Sequence, residues 1–105
     1  MTCASNVHII AKMTYEWDLK KALENIRGHK VDFADAVIAL EDDNALTIED
    51  FDHDEQRFKT LGMGPLLNIL FVVHIERGDN NIRIISARKA DAKEIKQYYK
   101  GLSYE

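Results

Sequence analysis

Cysteine is all but missing from this chain. Cys3 stands alone among 105 residues, so no disulfide can form within the molecule, which fits a reducing compartment. Proline appears once and glycine five times, with no tract rich in either that would serve as a linker, so one domain is expected. No apolar run approaches the ~20 residues needed to cross a bilayer. Near the start, Val7 to Ala11 is broken by His8, so the stretch lacks the apolar centre of a secretory signal. The expectation is a soluble, cytoplasmic protein with no membrane partner. Cations are in deficit too: 14 Lys and Arg against 18 Asp and Glu give a net charge of −4. Taken alone, that argues against phosphate-driven binding to nucleic acid. The four histidines, His8, His29, His53 and His74, have no partner at ligand spacing, so neither a metal nor another cofactor is expected.

What is present suffices for a core. Hydrophobic residues make up 46%, enough at this length to fold without a disulfide or metal, and the charged 30% is dispersed rather than blocked. Residues 1–12 read as an N-terminal appendage and 13–105 as a single domain. Tyr15 and Trp17 flank Glu16 in a short alternating segment, expected as an edge strand. Asp18 can cap a helix carrying Leu19, Ala22, Leu23 and Ile26 on one face, with Gly28 as its stop. Asp32 caps a second, short helix with Phe33, Ala36, Val37 and Leu40 inward. Four strands follow, over 45–50, 57–61, 69–76 and 82–88, separated by an acidic stretch, GMGP and GDNN. The third strand is apolar on both faces, as a central strand should be. A last helix opens at Asp91 with Glu94 three residues on, and Ala92, Ile95, Tyr99 and Leu102 are expected to face inward. This order predicts an α+β fold: a small antiparallel sheet of about four strands plus a short N-terminal one, two N-terminal helices and one C-terminal helix.

Residues 76–90, ERGDNNIRIISARKA, hold the main chemical signal. From Ile82 to Lys100 there are six cations and two anions. Since the whole chain is −4 and this stretch is +4, the remainder carries −8, much of it between Glu41 and Glu55. Such polarity suggests two surfaces with different partners. Strict alternation puts Arg83 on one strand face with Ile85 and Ala87, and Ser86 and Arg88 on the other with Ile82 and Ile84. Guanidinium forks suit phosphate, giving two charge-assisted bonds from one plane. The plainer reading is a Glu76–Arg83 cross-strand pair with no chemistry. Arg88 has no obvious local partner in the sequence. His29 can cap the helix before it, His74 projects from the central strand beside Glu76, and His53 lies in a solvated acidic loop.

Three segments, YEWDLKKALENIRGHKVDFADAV, LTIEDFDHDEQRF and FVVHIERGDNNIRIISARKADAKEIKQYY, together resemble the BrnT family of toxins over about residues 13–100. Its usual signatures are a WD-P-K-A-x-x-N opening, a KHGV-x-F link and an RG-x-x-IRIISAR strand followed by E-x-x-x-Y. Leu19 stands where the family has proline, Gly28 and Lys30 exchange the usual lysine and glycine around His29, and Leu67-Asn68 replaces a common Gly-Arg. The resemblance implies a RelE-like fold and a type II toxin–antitoxin ribonuclease, neutralised by a BrnA-like, DNA-binding antitoxin in a hetero-oligomer. It implies RNA as substrate and cleavage without metal. Arg83 and Arg88 are then expected at phosphate and transition state, with Arg57 third. Glu76, His74 or His29 is expected to move the proton, and Arg77, Ser86, Lys89 and Lys93 to assist RNA binding. Tyr15 and Trp17, or the acidic Asp50, Asp52 and Asp54, are the expected antitoxin surface. A homologue that only binds its antitoxin, to regulate its own operon, is the competing expectation.

Overall fold

The computed structural model describes residues 13–51 and 55–102. The appendage 1–12 and the candidates Asp52 and Asp54 lie outside the described residues. The chain runs β1 (Thr14–Glu16), α1 (Leu19–His29), α2 (Phe33–Leu40), β2 (Leu46–Asp50), β3 (Arg57–Met63), β4 (Ile69–Glu76), β5 (Asn81–Lys89) and α3 (Ala92–Leu102). The five strands form one sheet in the order β1-β5-β4-β3-β2. β2 to β5 are an antiparallel meander with β4 central, as its two apolar faces required. β1 departs from the expected antiparallel pattern: it runs parallel to β5, so the sheet is mixed. The α1–α2 crossover carries the chain from β1 to β2 at the far edge, and the three reversals of the meander then bring β5 back beside β1 in the same direction. Among the described residues no helix is long and apolar enough to cross a membrane.

α1 and α2 cover one sheet face. Phe33, Ala36, Ala39 and Ala22 pack there on Leu70, Val72, Ile84 and Ala87. Burying a side chain the size of Phe33 or Ile84 contributes ~1.5–3 kcal/mol. The alanines let the helices sit close to the sheet, and Gly62 completes the fit. A Cβ at position 62 would land on the carbonyl of Ala39, so β3 admits no other residue there. Asp18 and Asp32 cap the two helices through the amides of Lys21 and Ala34.

Two details of α1 differ from the sequence pattern. Gly28 does not end the helix. Lys30 does, in the left-handed region with φ 62°, its amide donating to the Ile26 carbonyl. The apolar stripe is also not what meets the sheet. Leu19 and Leu23 are 69% and 56% exposed, whereas Ala22 and Asn25 are buried. Asn25 explains the rotation. Its Nδ2 donates to the carbonyls of Val31 (2.9 Å) and Ala87 (2.7 Å), and its Oδ1 accepts from the Ala87 amide (3.1 Å). β1 pairs only with Asn81, Ile82 and Arg83 of β5, so the outer edge of β5 beyond them lacks a strand. One amide side chain satisfies both backbone groups of Ala87 on that edge.

α3 lies against the other sheet face, held by the buried Tyr98 among Leu61 and Ile69. The expected inward residues Ala92, Ile95 and Tyr99 are exposed instead, and the side chain of Leu102 is outside the described residues. Polar contacts set this rotation. The Tyr98 hydroxyl donates to Asp42 Oδ2 at 2.5 Å, and Glu94 on the same helical face is held by Arg88. Asp91 and Glu94 form the reciprocal capping box that starts the helix.

Candidate active site

A bulge builds the site. Between β4 and β5 the register slips after Val73: Val73 faces Ser86, but His74 faces Ile84, leaving Ile85 unpaired. Residues directly opposite share a face, so the extra residue moves Arg83 across the sheet. Arg83, Ser86 and Arg88 therefore line one face together, and Ile82, Ile84 and Ala87 line the helix-covered one. Period-two counting had put Arg83 and Arg88 on opposite faces. From β3, the partners of Val73 and Phe71 place Lys59 on the same face as the arginines, with Arg57 two residues before it.

Each cation has a carboxylate beside it. Arg83 lies 3.4 Å from Glu16, which also meets Arg77 at 3.9 Å. The expected Glu76–Arg83 pair is not formed, because Glu76 sits opposite Ile82 on the other face. Lys59 meets the buried Asp50 at 3.3 Å, and Arg57 meets Glu55 at 3.9 Å. Arg88, without a partner in the linear pattern, has the tightest one: both Nη atoms donate to Glu94 at 2.9 Å. Its guanidinium also lies over the Phe71 ring, 4.2 Å from the centroid. The fork from Arg88 holds the Glu94 carboxyl below its ordinary range, and Glu94 in turn raises Arg88. Burial pushes Asp42 up, but hydrogen bonds from Tyr98, Asn44 and Met63 outweigh it and leave the carboxyl lowered.

Beside these residues, between β2–β3 and α3, opens a cleft of about 380 Å³. Phe71, Arg88 and Lys59 line it from the sheet, and Glu94 and Gln97 from α3. Leu46, Ile48 and Leu61 complete an apolar wall.

The remaining candidates lie elsewhere. His74 is buried behind the sheet, stacked on Phe58 and bonded to Thr60 Oγ1 at 2.8 Å. Burial pulls its pKa down to about 4. Glu76 is exposed on that same side, and His29 is exposed at the end of α1. Neither histidine nor Glu76 joins the cationic face. Arg77 sits at the β4–β5 turn, while Lys89, opposite Leu70, and Lys93 are exposed outside the cleft. Asp50 is buried, with Lys59 beside it. Trp17 packs edge-on against Phe33, and the Tyr15 hydroxyl donates to Glu41, with burial and then Glu41 raising its pKa to about 12. Lys59, Glu94 and Gln97 were not expected in the site. The parity of Lys59 with Arg57 on β3 carried a signal, but Gln97 depends on a helix rotation invisible in the sequence. No group of three metal-ligating side chains gathers among the described residues.

Fold and site together define a class: a small α+β domain with arginines and a lysine paired on an open sheet face beside its C-terminal helix. Residues 17–94 match the family of the ribonuclease toxin, BrnT, of type II toxin–antitoxin systems, and the chain belongs to that family. Its fold is similar to the crystal structure of the Brucella abortus ribonuclease toxin BrnT. That likeness has a TM-score of 0.62 and 28% identity, covering 76% of this chain and 99% of the other. No curated protein matches the sequence.

Proposed function

We propose that the chain is a metal-independent endoribonuclease that cuts RNA in the cytoplasm, inhibits translation, and is neutralised by a BrnA-like antitoxin. The observation that carries this reading is the gathering of Arg83, Ser86, Arg88 and Lys59 on one open face by the β5 bulge. An RNA 2′-hydroxyl attacking its own phosphate builds negative charge on the phosphorane, which fixed cations stabilise. Arg83 is the phosphate ligand that exchanges most readily. Its pair with Glu16 is a single contact between partners about one-third exposed, worth ~0–1 kcal/mol. A charge-assisted bond to phosphate is worth ~1.5–3 kcal/mol and outweighs it. Arg88, its fork filled by Glu94, shapes the cleft and anchors α3 while its charge contributes to the field. Arg83→Ala is expected to lower cleavage of a structured RNA about ten- to hundredfold with melting unchanged, and Arg83→Lys to recover only part. Full activity in folded Arg83→Ala would refute the assignment.

A second reading is favoured by the pairing itself. Arg57, Lys59, Arg83 and Arg88 all meet carboxylates within the chain. A face neutralised in this way suits a homologue that only binds its antitoxin. A parent protein inert towards RNA would select that reading.

A further inference from the structure

The 380 Å³ cleft beside Arg88 has features that phosphate binding leaves unused. Its volume lies at the low end of small-ligand sites, suited to one unstacked nucleotide and far too small for a duplex. Arg88 is held by Glu94 at both Nη atoms and by the Phe71 ring, whose centroid lies 4.2 Å from its Cζ, while 37% of its side chain remains exposed. A guanidinium immobilised in this way is a flat platform, and single-stranded RNA is read by bases stacked on aromatic rings or arginine planes. Leu46, Ile48 and Leu61 give the cleft an apolar lining beside Arg88, and Ile48 is 64% exposed. At the rim, the exposed Gln97 amide makes no hydrogen bond among the described residues. An amide carries donor and acceptor side by side, the pattern that pairs with a base edge.

We propose that this cleft is a single-nucleotide subsite, in which a base stacks on the Arg88 plane against Ile48 and its edge is read by Gln97. The inference rests on the ribonuclease reading and makes Gln97 the residue that sets base preference. Lys59, at the junction of cleft and open face, meets the phosphate joined to that nucleotide.

The test uses the full-length, 15N-labelled protein and the four 3′-nucleoside monophosphates as probes. Titration is expected to shift the amides of Leu46, Phe71 and Gln97 and the Gln97 side chain, with one base preferred. Gln97→Ala removes an exposed side chain with no hydrogen-bond partner among the described residues, so the fold is kept. It is expected to weaken the preferred nucleotide roughly five- to tenfold and to level the order among the four. Lys96→Ala, outside the cleft, serves as the control. Shifts confined to residues outside the cleft, or an unchanged order in Gln97→Ala, overturn the subsite. A parent that cuts RNA while Gln97→Ala cuts with the same base preference refutes the subsite and keeps the nuclease. A parent inert on RNA whose cleft still binds nucleotides through Gln97 keeps the subsite and refutes the nuclease.

Discussion

His74 shows how burial decides the role of a titratable side chain. Histidine's ordinary pKa places it within reach of general acid–base work. In this protein it is 5% exposed, its Nε2 is bonded to Thr60, and its Nδ1 has no partner among the described residues. Desolvation penalises the charged ring and pulls the pKa from 6.5 down to about 4. The linkage has a definite sign. Above pH 6.5 the ring is neutral in both states and costs nothing. Between 6.5 and 4 the unfolded chain takes up a proton that the folded one refuses, so stability falls with pH, by at most about 3 kcal/mol, and levels off below 4. Carboxylates such as Glu94, lowered by Arg88, also lose stability in acid, so the contribution of His74 is read by difference. His74→Gln should flatten the slope of urea stability against pH between 7 and 4. Equal slopes in variant and parent would show that the ring is not the titrating group.

The end of α1 carries two residues in exchanged places. Gly28 lies inside the helix with open space around its missing Cβ, where alanine or lysine would be favoured by ~0.5–1 kcal/mol. Lys30 takes the left-handed position that glycine fills without strain, at a cost of roughly 1 kcal/mol. The family pattern this chain resembles has lysine before His29 and glycine after it. The double variant Gly28→Lys with Lys30→Gly should therefore be more stable by about 1.5–2 kcal/mol in chemical denaturation. Unchanged or reduced stability would mean that tertiary contacts compensate for the local strain. The same exchange hides the stop of α1 from the sequence pattern. Gly28 is the stronger breaker by propensity, but Asn25 and Val31 fix where the chain leaves the helix. At α3, the capping box of Asp91 and Glu94 was legible because it is made within four consecutive residues. Which tyrosine turns inward was not, because that depends on Asp42, fifty-six residues away from Tyr98.

The molecule as a whole carries net charge −4, with Arg57, Lys59, Arg83 and Arg88 on one sheet face and each beside a carboxylate. Type II toxin–antitoxin membership implies an antitoxin partner. Co-expression with the product of a neighbouring ribbon-helix-helix gene should give a single complex on size exclusion at moderate salt, and the free chain should elute later. Separate elution of the two proteins would count against a standing toxin–antitoxin pair. Element types, the central place of β4 and the two N-terminal helices were legible along the chain, because capping, turn chemistry and hydrophobic period act over a few residues. The family could be read from local strings such as IRIISAR. The site could not be read in the same way. Alternation has a period of two only while register holds, and one unpaired residue, Ile85, reversed the face of Arg83. Whether an arginine meets solvent, Glu16 or Glu94 depends on which strand and helix pass beside it. That choice is made by packing between segments far apart in sequence, so the cationic face and its cleft exist only in the folded chain.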